Sequence, residues 1–227
     1  MFSNRKLAAA VLLTFTLLVP TAIAKKRDNT PLKRSEIKEA ERRLREMGYS
    51  TGQSMRQALI TFQKWEGRKV TGNLTRAEFN AIRDASAPLP KDTGYKHVEV
   101  DLDRQVMLLT DDQGAVTKIL PVSTGSGKKY KEKRMSGLAY TPRGRFKIYN
   151  KLAGWRKSPL GLLYYPNYFS DGLAIHGNPE VPHTPRSHGC VRIPMSAAKE
   201  ISKQLQVGTI VLIYDSQSFV SAKEWIE

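Results

Sequence analysis

The chain has 227 residues and carries 37 Lys plus Arg against 21 Asp plus Glu, a formal charge of +16 with a pI near 10.0. Its length suffices for one or two domains with true cores, and its 40% hydrophobic and 26% charged residues are ordinary for a globular protein, which sets disordered and fibrous classes aside. So basic a surface favours polyanionic partners, either nucleic acid, anionic lipid or an acidic wall polymer, and composition alone does not choose among them.

Residues 1–24 have the three parts of a secretory signal. Arg5 and Lys6 form a positive start, Leu7 to Val19 is apolar, and Ala22-Ile23-Ala24 fits a small-x-small cleavage site. The apolar run falls short of the roughly 20 residues of a comfortable membrane span. The expectation is an exported protein of the periplasm or cell wall, touching the membrane only through this segment if it stays uncleaved. Export makes a solitary cysteine costly unless it is reactive, because structural cysteines in oxidising compartments normally come in pairs. It also lowers the nucleic-acid reading, and no base-reading motif is present, so no nucleic-acid partner is expected. Basic runs such as Lys25-Lys26-Arg27 and Lys128–Arg134 read as solvated tails and loops.

Residues 25–34 are a polar linker, and 35–86 a helical block. Ser35 is a candidate N-cap with Ile37, Ala40, Leu44 and Met47 at helical spacing and Gly48 as the stop. Ser54 caps a second helix with Ala58, Leu59, Phe62 and Trp65 inward. Thr75 and Glu78 form a capping box ahead of Phe79 and Ile82. Leu44, Gly48-Tyr49, Phe62-Gln63 before Gly67, and Thr71-Gly72 before Thr75 give this block a pattern that resembles the three-helix peptidoglycan-binding domain. A helical spacer without a ligand is the alternative.

Residues 87–94, with Pro88 and Pro90, read as a linker. The period then changes to two. Val98, Val100 and Leu102 alternate, Val106–Thr110 is a hairpin partner, Asp111–Gly114 a turn, and Val116–Val122 a third strand. Phe146–Tyr149 and Gly172–His176 are further strands. Ser196 caps a helix to about Leu205, Gly208 ends it, and Thr209–Tyr214 returns as a strand. The expected fold class is α+β, a small three-helix bundle followed by a mostly β domain over 95–215 with one main helix, and a tail over 216–227.

Within that domain, Ala174–Arg192 holds three of the four histidines and the only cysteine, Cys190. A thiol becomes a strong nucleophile as thiolate, and an imidazole can take its proton. His176 ends a strand, and Pro179, Pro182 and Pro185 stiffen a loop that can bring Cys190 back beside it. His188, two residues before Cys190, shares its face on extended backbone, and Arg192, two after, does the same with a guanidinium suited to a carboxylate. Backbone N–H groups along Ser187-His188-Gly189-Cys190 can converge on an oxyanion. The rivals are a zinc site from His176, His183, His188 and Cys190, and a buried structural cysteine.

His176-Gly177 followed by Ser187-His188-Gly189-Cys190-Val191-Arg192 resembles the signature of the YkuD-type L,D-transpeptidases, with Ser123-Thr124-Gly125 and Thr141-Pro142-Arg143-Gly144 in support. The resemblance implies that Cys190 attacks a peptidoglycan tetrapeptide stem to give a thioester and that His176 is the base. The Gly177 carbonyl would orient the imidazole. Amides around His188, Gly189 and Cys190 would hold the oxyanion, with Ser187 beside them, and Arg192 would contact the stem. It implies peptidoglycan stem and glycan as partners, carbapenem sensitivity and no cofactor. The acceptor is left open, as are hydrolysis of the same stems, a non-catalytic wall-binding role and the oligomeric state.

Overall fold

A computed structural model describes residues 30–49, 54–132 and 135–216. The signal segment and the last eleven residues of the tail, as read from sequence, lie outside the described residues.

Three helices come first: α1 (Arg34–Glu46), α2 (Met55–Trp65) and α3 (Arg76–Asp84). Ser54 caps α2, its Oγ accepting from the Gln57 N–H at 3.3 Å, and Thr75 caps α3 by accepting from Glu78 N–H at 3.2 Å. The expected capping box is only half made, because the Glu78 carboxylate turns instead to Arg68 Nε, 3.0 Å away. Ser35 lies inside the first turn of α1. The start falls at Lys33, whose N–H donates to Glu36 Oε2 at 2.7 Å. Gly48 ends α1 with φ +90°, a conformation that favours glycine. Ile37, expected inward, is 39% exposed.

The remainder is two sheets and a helix. One sheet has the order β3 (Val116–Pro121), β2 (Val106–Thr110), β1 (His97–Asp101), β12 (Ile210–Tyr214), β6 (Gly144–Lys147). Its pairs are antiparallel except β1 with β12. The second runs β11 (Val191–Pro194), β10 (Leu173–Asn178), β9 (Gly161–Ser170), β7 (Asn150–Lys151), and β8 (Trp155–Ser158) pairs with β9. Helix α4 (Met195–Gln204) follows β11 directly. Pro194 is its N-cap, so Ser196, expected as the cap, is already helical. Between the sheets and α4 lies one core, with Val98, Val100, Met107, Ile175, Val191 and Ile201 in it.

The first sheet departs from simple alternation because both of its faces are covered. All five residues of β1 and all five of β2 are buried. Met107 and Leu109 face the inter-sheet core, while Val106, Leu108 and Ile119 join the helices' core of Leu44, Tyr49, Leu59, Phe62 and Ile82. The helical block therefore packs on the sheet through apolar surface, the dominant driving force for such association. Polar contacts reinforce the seam. Ile119 N–H donates to Gly48 O at 2.8 Å, and Arg104 lies over the Trp65 ring at 4.9 Å while its Nε donates to Trp65 O. Residues 87–94 form neither helix nor strand, and the buried Glu99 carboxylate holds them by accepting from Lys91 and Asp92 N–H at 2.7 and 2.9 Å.

A separate hairpin, β4 (Lys129–Glu132) with β5 (Met135–Leu138), stands off both sheets. This corrects the reading of the Lys128–Arg134 run as a loop: Lys129–Glu132 is a paired strand. Its residues are exposed or half-exposed, so a burial pattern has nothing to mark it.

Candidate active site

Strands β10 and β11 build the site. They are parallel neighbours with His176 opposite Arg192 and Ile175 opposite Val191. Ile175 and Val191 point into the core, so His176 and Arg192 share the other face. Cys190 immediately precedes β11, and its Sγ accepts from the Ala174 N–H at 3.4 Å. The fourteen-residue excursion thus returns to the strand it left. His176, Cys190 and Arg192 line one cavity of about 820 Å³, together with His188, Tyr168 and Asn178.

The imidazole is oriented by its own strand. His176 Nδ1 lies 2.9 Å from the Gly177 carbonyl, an acceptor only, so Nδ1 carries the proton and Nε2 keeps its lone pair. Gly177 allows this because α4 presses on the backbone there: a Cβ at 177 would sit 2.6 Å from Ala198 Cβ. Burial drives the imidazole pKa down to about 4, with the Gly177 hydrogen bond pulling it up and the Arg192 charge pushing it down. Burial also raises the Cys190 thiol, opposed by the Ala174 N–H and by Arg192. Near neutrality the cavity therefore holds a neutral thiol and a neutral imidazole.

A braced turn carries the cysteine. Ser187 is 2% exposed, and its Oγ donates to Cys190 O at 2.6 Å while accepting from Gly189 N–H at 3.0 Å. This modifies the expectation for two residues. The Gly189 amide is committed to Ser187 instead of facing the cavity freely, and Ser187 is the brace of the turn. Gly189 has φ +140°, and a Cβ there would meet Tyr140 O at 2.7 Å. Thr141 Oγ1 donates to Gly189 O at 2.7 Å and accepts from Gly125 N–H at 2.8 Å.

Behind the turn a hydrogen-bonded series reaches the helical block. Ser187 N–H donates to Thr124 O at 2.9 Å. Gln105 grips Thr124 from both sides, with Nε2 to Thr124 Oγ1 at 2.8 Å and Oε1 accepting from Thr124 N–H at 2.9 Å. Lys64, buried on α2, donates to Gln105 O and Val122 O at 3.1 and 3.0 Å, and burial lowers its pKa to about 8. Gln105 and Lys64 carry no motif, and sequence reasoning passed over both.

The other histidines go elsewhere. His188 Nε2 is 3.0 Å from Glu132 Oε1, and its ring meets the edge of Tyr130 at 4.6 Å, so it contacts the hairpin that overhangs the cavity. His183 lines a different cavity, and His97 is buried against Glu99. Of the four ligands of the zinc alternative, His183 thus lies in a different cavity from the other three, and no group of three or more His, Cys, Asp or Glu able to hold a metal is found among the described residues.

Comparison with known proteins agrees with this architecture. Residues 95–213 match the YkuD L,D-transpeptidase catalytic domain, and residues 33–82 a putative peptidoglycan binding domain. A crystal structure of the L,D-transpeptidase from Xylanimonas cellulosilytica is similar at 34% identity and TM-score 0.73, over 80% of this chain and 94% of that one. An L,D-transpeptidase from Stackebrandtia nassauensis aligns at 24% identity and TM-score 0.48, over 83% of this chain and 94% of that one. No curated protein matches the chain. With more than half of its length matched by the catalytic domain and a third-identical structural relative across most of it, the chain belongs to the YkuD-type L,D-transpeptidases, enzymes that act on peptidoglycan.

Proposed function

We propose that the chain is an exported cysteine L,D-transpeptidase whose helical segment, residues 35–86, holds the wall while residues 95–215 do the chemistry. The observation that carries this reading is the pairing of an inward-turned Cys190 sulfur with a neutral His176, its Nδ1 fixed on the Gly177 carbonyl, in one cavity. The Cys190 proton passes to His176 Nε2 as sulfur attacks the carbonyl of the third stem residue. The oxyanion is met by the amides of Cys190 and His188. Its collapse breaks the C–N bond, and the proton on Nε2 leaves with the terminal D-alanine amine, giving a thioester. An acceptor amine then attacks that thioester, passing its proton to His176, which returns it to sulfur. Water in place of the amine gives hydrolysis. Arg192, on the same face, suits the stem's carboxylates.

Export to the periplasm or wall is supported by the tripartite N-terminus and by a solitary cysteine suited to chemistry. Incubation of the purified protein with a tetrapeptide muropeptide tests the reading, with products read by mass spectrometry. Cross-linked dimer or tripeptide plus free D-alanine is expected. Intact tetrapeptide after prolonged incubation contradicts it, and intact tetrapeptide that sediments with the protein identifies a binder.

A further inference from the structure

A second cavity, about 350 Å³, lies in the seam between the two segments and has no part in the chemistry described so far. One wall is the helical block's α2, through Gln57 and Ile60, and the other is the stretch after the catalytic histidine and the start of α4, through Val181, His183 and Met195. Asn178 lines this cavity and the catalytic one alike. It stands two residues beyond His176 on β10, and so on the same face of that strand. The two cavities therefore share a wall at Asn178, two residues along the chain from His176.

An acyl transfer with two peptide substrates needs two approaches. Once a donor stem has acylated Cys190 beneath the hairpin, the amine must reach the thioester from space the donor does not fill. We propose that the seam cavity is that approach, and that it holds the acceptor stem, an anionic peptide bearing the attacking amine. Two observations favour this occupant. His183 in the cavity wall is held neutral first by burial and then by the cations of Lys64 and Arg56, and charges that reach that wall favour a peptide with free carboxylates. One wall also belongs to the peptidoglycan-binding segment, so a strand held there enters the cavity already close to the catalytic pair. The inference rests on the acyl-enzyme reading above, and its test separates the two.

The test uses the full chain with a tetrapeptide donor and a separate stem acceptor. It records the rate of Cys190 acylation by intact mass and the ratio of cross-linked to hydrolysed product. Ile60→Trp, which fills the cavity from α2, is expected to lower that ratio by about tenfold while acylation stays within about twofold. His183→Glu, on an exposed loop where folding is not at stake, is expected to raise the acceptor KM severalfold, with kcat regained at saturating acceptor. An unchanged ratio in Ile60→Trp together with an unchanged acceptor KM in His183→Glu overturns the proposal. So does a fall in acylation equal to the fall in cross-linking, since the cavity would then serve the donor. Failure of the unmodified protein to form any acyl-enzyme counts against the proposed chemistry instead, and is read independently in the same mass spectra.

Discussion

The turn at 187–190 and the hairpin at 129–138 face each other across one cavity and are built in opposite ways. The turn is internally bonded and backed by buried polar groups: Ser187 bridges Gly189 and Cys190, Thr141 holds Gly189 O, and Thr124, Gln105 and Lys64 lie behind. The hairpin exposes all four residues of β5 and touches the turn through Glu132 and Tyr130 on His188. Buried, fully paired polar groups resist displacement, whereas a segment with few buried contacts opens at low cost. Cys190 is thus held rigidly and its cover loosely, which suits the proposed role of a site that must admit a polymer yet present sulfur and imidazole in fixed register.

The largest expected effect breaks the rigid side at its base. His176→Gln retains the shape but removes the proton acceptor, and acylation should fall by about 10²–10⁴-fold, measured as the adduct-forming rate by stopped-flow or timed mass spectrometry. A smaller effect follows from the brace. Ser187→Ala leaves Gly189 N–H and Cys190 O without their partner, which should cost about 1–3 kcal/mol in denaturant unfolding and lower kcat more than it raises KM. If KM alone moves, the turn is not the rigid element described here.

The pH dependence sharpens the same contrast. A free imidazole titrates near 6.5 and His176 near 4, so between those values the unfolded chain binds a proton that the folded chain refuses. The stability due to neutral burial is present above 6.5 and is lost as pH falls towards 4, by about 3 kcal/mol, and His176→Gln should flatten that part of the profile. The acid limb of the acylation rate should likewise lie well below pH 6. The smallest effect belongs to the cover. Glu132→Gln weakens a partly exposed hydrogen-bonded contact with His188, so stability should change by under about 1 kcal/mol, with KM shifting a few-fold and acylation of a small β-lactam unaffected.

Legibility in the sequence followed the same divide between local signal and tertiary context. Ser54 and Thr75 announced helix starts because a cap is a contact over three residues, whereas Ser35 and Ser196 had the right side chain two residues too late. The grouping of Cys190, His176 and His188 in one cavity was readable because they lie in one stretch with glycines at 177 and 189, both of which leave no room for a Cβ. Strand β9 was missed, since Gly161–Ser170 includes Pro166 and mixes buried with exposed positions without a clean period. Glu99 and Asp101 alternate with Val98 and Val100 in β1, yet all four are buried: Glu99 binds residues 91 and 92 and Asp101 binds Arg104. Gln105 and Lys64 acquire meaning only when residues 41 apart in the chain meet.

The central claim is that Cys190 is the acylated atom and that His176 makes it so. Intact-mass measurement of the full chain after incubation with a carbapenem tests it most directly. One covalent adduct per chain is expected on the unmodified protein, none on Cys190→Ala, and slow formation on His176→Gln. An unmodified mass with several carbapenems, or an adduct that survives in Cys190→Ala, would contradict it.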